Sequence, residues 1–359
     1  MATPLNPIIA EEIASHGYMR IDRYMALALG HPQHGYYMSG RNFGLEGDFI
    51  TAPEISQMFG ELIGLWSLDQ LQRQNLTNDA GFFELGPGRG TLMADAIRAI
   101  TPFIQGQDHS IHMPIHMPIH MMEMSPALKQ QQAKALHSKP VIHHDDLDHL
   151  PPIPLIFIAN EFFDALPIRQ FIKTENGWHE RVVTIADDQL TITTMAADAA
   201  PPEDETPIGS IYEVAPQLPA IIAKISRHIQ QYGGAGLIID YGKSNPIGDS
   251  LQAVCNHKPV DILDNPGEAD LSAWVDFSAI KTAASDLQVL GPCDQGTFLK
   301  SLGLYQRAEQ LSAAADPKTR RMIAAAVDRL SSPAQMGRLF QTMALLPLDA
   351  KGAVAGFSP

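Results

Sequence analysis

The chain has 359 residues, a length that accommodates one large α/β domain with additions or two domains. Its apolar content of 45% and its charged content of 18% are typical of a globular protein with a buried core. The formal net charge of −15 argues against a nucleic-acid partner, because binding to phosphates needs clustered Lys and Arg.

Cysteine usage and hydropathy exclude further classes of protein. The two cysteines, Cys255 and Cys293, form no C-x-x-C pair, which disfavours a disulfide framework and a zinc knuckle. A run of about 18 apolar residues is missing, so no stable membrane insertion is expected. Glu11 and Glu12 interrupt the N-terminal residues, so we expect neither a signal nor a transit peptide, and a cytoplasmic location.

The first predicted elements are helical. Apolar residues recur on helical faces from Asn6 to Leu29, which predicts a helix there. The stretch 31–56 is rich in glycine and aromatic residues, and a long irregular stretch is often a functional lid. It ends in Thr51-Ala-Pro-Glu54, the T-x-x-E pattern of a capping box. The next helix presents a buried face of Ile55, Met58, Phe59, Leu62, Ile63 and Trp66.

The stretch Gly81–Leu92 carries the clearest signature in the chain. An apolar run predicts a buried parallel strand, and three glycines spaced two apart follow it, Gly86, Gly88 and Gly90. Such glycines permit positive φ and let a ligand approach the main chain. The helix predicted over Thr91–Ile100 directs its amide end at this turn.

The spacing of this turn suggests its ligand. The third glycine comes one residue earlier than in the G-x-G-x-x-G pattern, and Glu84 lies two residues before the first. An acid there suits a locally cationic ligand, such as the amino group and sulfonium of S-adenosylmethionine. A turn without a ligand and a nucleotide phosphate loop remain alternatives. Gly47, Asp48 and Thr51 either form a cap and turn or fold over this ligand.

A tandem repeat, IHMP-IHMP-IHMM, occupies Ile111–Met122. A metal site built from its histidines, His112, His116 and His120, is disfavoured because proline prevents a helix. In an extended chain, residues four apart lie roughly 13 Å from each other, too far to share one ion. We therefore predict no metal, and interpret the repeat as a duplication that lengthens a loop.

Acids follow the next two predicted strands. The last copy of the repeat predicts the second strand, and Glu123 ends it. In doubly wound sheets such an acid accepts hydrogen bonds from ribose hydroxyls, although an exposed strand-end acid is the alternative. The third strand follows Pro140 and ends at Asp145, which either accepts from an adenine amino group or lies in a solvated turn.

The second strong segment is Leu155–Ala159, an apolar run that predicts a buried strand. Asn160, Glu161 and Asp164 come just beyond its carboxyl end, where ligands bind in open α/β sheets. Two acids and an amide beside two aromatic residues can hold a cationic or amine nucleophile, so these are the catalytic candidates. Asn160 also contributes to the predicted cofactor site. The alternative is that Asn160 caps a helix that Asp164 starts.

The remaining segments complete an α/β fold with five parallel strands. An inserted antiparallel section covers Ile168–Met195, a helix covers Pro216–Tyr232, and the fifth strand ends in Asp240-Tyr241-Gly242. Three more helices are predicted, over Ser278–Leu287, Phe298–Ala315 and Lys318–Leu330. The predicted segments are an N-terminal helical and lid segment (1–78), a cofactor-binding core (79–167 and 209–243), the inserted β section (168–208) and a C-terminal substrate, lid and helical region (244–359).

The chain resembles the MidA-like family of S-adenosylmethionine-dependent methyltransferases, over nearly its full length. The resemblance rests on HPQHGYY, GDFITAPEISQMFGE, ELGPGRGTL, EMSP, ANEFFDALP, IIDYG and DNPGEADLSAWVDF, which occur in this order. It implies a Rossmann-like class I methyltransferase sheet with a helical N-terminal segment, an inserted antiparallel β section and helical C-terminal additions.

The resemblance also implies a function. The family includes a mitochondrial assembly factor of respiratory complex I that methylates a protein arginine, so we expect symmetric dimethylation of an arginine-bearing protein, with a complex I subunit as precedent. Glu161 and Asp164 would then orient the guanidinium. A small-molecule or other side-chain methyltransferase, or an assembly chaperone with a vestigial donor site, are the alternatives, and a homodimer stays open.

Overall fold

The computed structural model describes residues 3–38, 51–76, 80–104, 117–137, 139–198 and 206–357. These residues form two compact units. The helix–hairpin unit comprises 3–38, 163–198, 206–219 and 242–279, and the parallel-sheet unit comprises the rest. Among the helices that the structure describes, none is long and apolar enough to cross a membrane.

The helices alternate with strands along much of the chain. In chain order they are α1 (Leu5–His16), α2 (Ile21–Gly30), α3 (Ala52–Ile55), α4 (Gln57–Arg73), α5 (Thr91–Ile104), α6 (Pro126–Ala135), α7 (Leu218–Tyr232), α8 (Phe277–Ala283), α9 (Gln295–Ser301), α10 (Leu304–Ala313), α11 (Pro317–Ser331) and α12 (Met336–Leu339). A single 3-10 turn over Tyr36–Met38 follows α2.

The strands are numbered from the N-terminus in the same way. They are β1 (Met19–Arg20), β2 (Gly81–Leu85), β3 (Ile119–Met122), β4 (Val141–His144), β5 (Leu155–Asn160), β6 (Arg169–Thr174), β7 (Gly177–Ala186), β8 (Gln189–Ala196), β9 (Ile211–Val214), β10 (Gly234–Lys243), β11 (Gln252–Cys255), β12 (Lys258–Val260), β13 (Asp270–Ser272), β14 (Val275–Asp276), β15 (Gln288–Asp294) and β16 (Phe340–Leu346).

The parallel-sheet unit is built on the five parallel strands that the sequence predicts. Their spatial order is β4-β3-β2-β5-β10, so β2 lies between β3 and β5. Each of β2 and β5 is buried along its whole length, which explains why both read as continuous apolar runs. Since parallel strands end at a common edge, the residues after β2, β3, β4 and β5 all lie on the carboxyl side of the sheet. The predicted α/β class is confirmed.

Two antiparallel strands extend this sheet beyond β10, and the sequence prediction missed them. The order continues from β10 to β16 and then to β15, with β16 antiparallel to both neighbours. The three helices predicted in the C-terminal region are present as α8, as α9 with α10, and as α11. The strands between and after them were missed because each is seven residues long and flanked by helical patterns.

The helix–hairpin unit packs α1 and α2 with antiparallel strands. Strands β6, β7 and β8 lie within the predicted inserted section, with turns at Glu175–Asn176 and Asp187–Asp188. Strand β9 pairs with β6 and comes from the segment that the sequence prediction assigns to the core. The strand β1 also joins this sheet, because Met19 pairs with Val183 of β7. The inserted section therefore belongs to the same unit as the N-terminal helices, whereas the sequence prediction assigns them to separate segments. A small sheet of β12, β11 and β13 completes the unit.

The N-terminal helix predicted from Asn6 to Leu29 is wrong as one element. Gly17 ends α1 with φ of 82°, a left-handed conformation that glycine adopts without steric penalty. The chain then forms β1 before α2 begins at Ile21. The apolar spacing is helical on both sides of this break, so periodicity alone could not locate it.

A buried histidine on β3, His120, contacts a half-buried histidine on β4, His144. Nδ1 of His120 lies 2.9 Å from Nε2 of His144, and Nε2 of His120 has no hydrogen-bond partner among the described residues. Burial, reinforced by the charges of His144 and His228, lowers the pKa of His120 to about 4. Burial likewise lowers the pKa of His144 and of His228. The other repeat histidines, His112 and His116, lie outside the described residues, and the described residues contain no cluster suited to a metal ion.

We expect this histidine pair to make the fold acid-sensitive. The native pKa of His120 lies below the ordinary value of 6.5, so this group binds more protons in the unfolded chain between about pH 6.5 and pH 4. Its contribution to the free energy of unfolding falls as the pH falls through this range. The variant His120→Phe should flatten this dependence, measured by urea unfolding at several pH values. The control His149→Phe, at a side chain that is 90% exposed, should leave the slope unchanged. Equal slopes for both variants would contradict the assignment.

Candidate active site

The glycine turn joins β2 to α5 in a left-handed backbone. Gly86, Gly88 and Gly90 have φ of 61°, 52° and 81°. A Cβ on Gly86 would lie 2.9 Å from Cδ2 of Phe162, closer than side chains allow. The turn is therefore a site where both the conformation and the packing require glycine.

Glu84 lies within β2, two residues before this turn. Its side chain is buried, and Oε2 has no hydrogen-bond partner among the described residues. Burial raises the pKa of this carboxyl group to about 8. A buried carboxyl oxygen without a partner is costly unless a ligand supplies one, so the position suits a cationic group.

Glu123 is tied to the glycine turn through a glutamine that the sequence prediction missed. Oε1 of Glu123 accepts from the backbone N–H of Ser125 at 2.7 Å, and Oε2 accepts from Nε2 of Gln132 at 3.2 Å. The same Nε2 donates to the carbonyl of Gly88 at 2.8 Å. Nε2 of His143 lies 2.8 Å from Oε1 of Gln132. The end of β3 and the glycine turn thus share one buried network.

Asp145 has a different environment from Glu123. It follows β4, its side chain is 85% exposed, and its Oδ1 lies 3.3 Å from Nζ of Lys129. The structure places it at the predicted edge of the sheet but on the surface. Its role toward an adenine amino group stays a prediction.

Asn160 and Glu161 meet the segment that begins at Thr51. Nδ2 of Asn160 donates to Oε1 of Glu161 at 3.1 Å, and the backbone N–H of Ala52 donates to the same oxygen at 2.8 Å. Glu161 has φ of 51°, which is strained for a residue with a Cβ. Oδ1 of Asn160 is buried and has no hydrogen-bond partner within the described residues.

The alternative interpretation, in which Asn160 caps a helix that Asp164 starts, is wrong. Asn160 ends β5, and the described residues that follow it up to Pro167 form bends and turns. The backbone N–H of Phe162 instead donates to Oδ2 of the buried Asp240 at 3.2 Å. Asp240 therefore holds the turn, and it lies in the last part of β10, which ends at Lys243, one residue after the predicted end.

Asp164 belongs to the helix–hairpin unit. Its backbone carbonyl accepts from the N–H of Ala273 at 2.9 Å. Nearby, the hydroxyl of Tyr37 donates to Oδ1 of Asp270 at 2.9 Å. Burial, followed by the charges of Asp270 and Asp164, raises the pKa of Tyr37 well above its ordinary value. The catalytic role of Asp164 stays a prediction.

The capping box predicted at Thr51 and Glu54 is wrong. Within the described part of the chain, the Thr51 side chain makes no capping hydrogen bond, and its carbonyl accepts from the Glu54 N–H at 3.0 Å. Helix α3 is only four residues long, and Ser56 starts α4 by accepting from the N–H of Met58. Gly47 and Asp48, the other predicted lid residues, lie outside the described residues.

These features define a class of protein. A mostly parallel α/β sheet with a glycine turn after an inner strand, and with acids after the neighbouring strands, binds a nucleoside-containing ligand at the carboxyl edge of the sheet. The family model for S-adenosyl-L-methionine-dependent methyltransferases matches residues 62–293. The chain belongs to this family.

Relatives and solved structures agree with this assignment. Protein arginine methyltransferase NDUFAF7 of Homo sapiens is 35% identical over 380 residues, covering 96% of this chain and 84% of the relative. The Danio rerio protein of the same name is 34% identical over 371 residues, covering 94% of this chain and 86% of the relative. A crystal structure of a Burkholderia thailandensis protein bound to S-adenosyl-homocysteine superposes with a TM-score of 0.84 at 26% identity, covering 99% of this chain and 94% of that one. The predicted family resemblance and cofactor are confirmed.

The residues of the glycine turn fit this cofactor. S-adenosylmethionine carries an ammonium and a sulfonium group, and the unpartnered Oε2 of buried Glu84 is an acceptor suited to such a cation. The bound cofactor supplies a methyl group on a positively charged sulfur. The chain would hold it with Glu84, the glycine turn and Glu123, which sequence reasoning named, and with Gln132, which it did not. Three glutamines are consecutive in α6, so no local pattern indicates which of them faces the turn.

Proposed function

We propose that this methyltransferase transfers the methyl group of S-adenosylmethionine to a guanidinium nitrogen of an arginine in a protein. The observation that carries this proposal is the similarity to two relatives named protein arginine methyltransferases, at 34% and 35% identity over at least 94% of the chain. The family model covers residues 62–293, which include the glycine turn and the segment after β5. A protein substrate also agrees with the acidic net charge of −15, which favours a cationic partner.

Glu161 is the residue best prepared to receive the arginine. A guanidinium is a poor nucleophile because its lone pairs are delocalised and it stays protonated at neutral pH. The Ala52 N–H and the Asn160 amide fix one oxygen of the Glu161 carboxylate, which sets the orientation of this group. A carboxylate fixed in this way orients the guanidinium and draws its positive charge toward the nitrogens that it contacts, which leaves the lone pair of the far nitrogen more available for methyl transfer.

Asn160 has a supporting role in this proposal. The unpartnered Oδ1 of Asn160 is an acceptor for an N–H of the substrate or the cofactor. Asp164 belongs to the helix–hairpin unit, and its role toward the guanidinium stays a prediction from the sequence. The departing thioether is neutral, so the chain needs to remove only the proton of the methylated nitrogen after the methyl group has moved.

The test uses S-adenosylmethionine with a deuterated methyl group and a panel of peptides, each paired with a version in which Arg is replaced by Lys. We expect mass spectrometry to find the label on arginine and not on the lysine peptides. Glu161→Gln keeps the shape of the side chain and should lower kcat by about 100-fold, while cofactor affinity changes little. Label on lysine, on a small molecule or on no acceptor would contradict the proposal. The last outcome, with cofactor still bound, would favour the assembly chaperone.

Finer features of the proposal have their own support. The strand order β4-β3-β2-β5-β10 supports calling the sheet Rossmann-like. The link to a complex I subunit rests on the family resemblance, and pull-down of that subunit by the full chain tests it.

Tyr305 on α10 and Met322 on α11 are 53% and 63% exposed, which supports a homodimer, and light scattering tests it. The cytoplasmic location stays a prediction that cell fractionation checks.

A further inference from the structure

Glu54 in α3 bonds to the far side of the glycine turn. Its Oε1 accepts from the Thr91 hydroxyl at 2.5 Å, and its Oε2 lies 3.3 Å from a guanidinium nitrogen of Arg89. The Glu54 side chain is 16% exposed and the Arg89 side chain is 44% exposed, so solvent weakens the ion pair with Arg89 more than the half-buried bond with Thr91. Arg89 lies inside the glycine turn and Thr91 is the first residue of α5.

The same short helix bonds to the residue that follows β5. The N–H of Ala52 donates to Oε1 of Glu161 at 2.8 Å, and the Ala52 side chain is fully buried in the core of the parallel-sheet unit. Helix α3 therefore joins two segments at the carboxyl edge of the sheet, the turn after β2 and the turn after β5. We call Ala52–Ile55 with these bonds the α3 clasp.

The bonds of Glu54 are not needed to form its own helix or the next one. Ser56 already caps α4, and the Thr51 carbonyl closes the first turn of α3. The glycine turn, in contrast, gains from an external partner. Three residues with positive φ have wide conformational freedom, and fixing their conformation costs more entropy than for other residues.

We propose that Glu54 is a positioning residue for the methyl donor. It acts through Thr91 and Arg89, holding the glycine turn and the first turn of α5 in the conformation that receives the cofactor. Its negative charge also lies next to the N-terminal end of α5, where the helix dipole favours it. This role rests on the family's cofactor and is independent of which acceptor is methylated.

The test measures cofactor binding and fold stability separately. Calorimetric titration with S-adenosyl-homocysteine should give a Kd about tenfold higher for Glu54→Ala than for the parent chain, because a charge-assisted hydrogen bond is lost. Glu54→Gln keeps an acceptor for Thr91 and should recover part of the affinity. KM for S-adenosylmethionine should rise by the same factor, and kcat at saturation should stay within about twofold, since no reacting atom is touched.

Two controls separate positioning from a general structural role. Glu309→Ala removes an exposed acid of α10 and should leave Kd unchanged. Thr91→Val removes the partner, so the double variant with Glu54→Ala should bind about as well as Glu54→Ala alone. Three results would overturn the proposal. The first is an unchanged Kd for Glu54→Ala, and the second is additive losses of affinity in the double variant. The third is a fall in the melting temperature of the unligated protein that accounts for the whole loss of affinity.

Discussion

Replacing Gly88 by valine is expected to abolish measurable binding of S-adenosylmethionine. Gly88 has φ of 52°, a region that β-branched residues essentially avoid. Its carbonyl accepts from Gln132, so a shift of the backbone also disturbs the network that reaches Glu123. Strain of about 1–3 kcal/mol, together with the side chain now standing in the turn, should weaken binding by at least about 100-fold in calorimetric titration.

A matched glycine distinguishes loss of the site from loss of the fold. Gly209 also has positive φ, at 88°, and nothing lies within 4 Å of a Cβ built there. It belongs to the helix–hairpin unit, between β8 and β9. Gly209→Val therefore carries similar backbone strain and should bind the cofactor like the parent chain. Retained affinity in Gly88→Val would remove the glycine turn as the donor site.

The second large effect is expected at Glu84, through the pH dependence of cofactor binding. The pKa of about 8 means that this carboxyl is mostly protonated at pH 7 without a ligand. Binding a cationic group favours the carboxylate, so binding should release a proton and affinity should rise with pH up to about 8. Above this pH the ligand's amino group, with an ordinary pKa of about 7.7–8.0, loses its own charge and affinity should fall.

Glu84→Gln tests this assignment because it keeps the shape and removes the titration. We expect affinity at pH 8 to fall by about 10- to 100-fold, and the rise of affinity with pH to disappear. Titrations in two buffers of different ionisation enthalpy should show proton release in the parent chain only. Glu175→Gln, in an exposed hairpin turn, is the matched control. Proton release that persists in Glu84→Gln would assign it to another group.

The carboxyl group of Glu84 affects the stability of the unligated fold in the opposite direction from its effect on cofactor affinity. Its native pKa lies above the ordinary value of 4.5, so the native state holds the proton over a range where the unfolded chain has lost it. The contribution of Glu84 to the free energy of unfolding therefore falls as the pH rises from about 4.5 to 8, opposite in sign to the contribution of His120. The buried carboxyl group of Glu84 therefore favours binding of a cationic ligand, although it lowers the stability of the protein without that ligand.

The sequence by itself determined the parallel sheet and the order of its strands along the chain. Strands β2 and β5 are buried on both faces, so burial leaves an unbroken apolar run in the sequence. The glycines after β2 and the acids after β3, β4 and β5 were also predictable, because the carboxyl edge of such a sheet is where ligands bind. These are properties of short continuous segments, which local patterns encode.

Only the tertiary structure decided which distant residues complete the site. Gln132 bonds to Gly88 across 44 residues of sequence, and Glu54 bonds to Thr91 across 37. No local sequence pattern distinguishes Gln132 or Glu54 from a solvent-exposed polar residue. The T-x-x-E pattern even predicted a local cap for Glu54, whereas its carboxylate bonds to the glycine turn. A side-chain hydrogen bond depends on where two elements lie in space, and the chemistry of one segment does not contain that information.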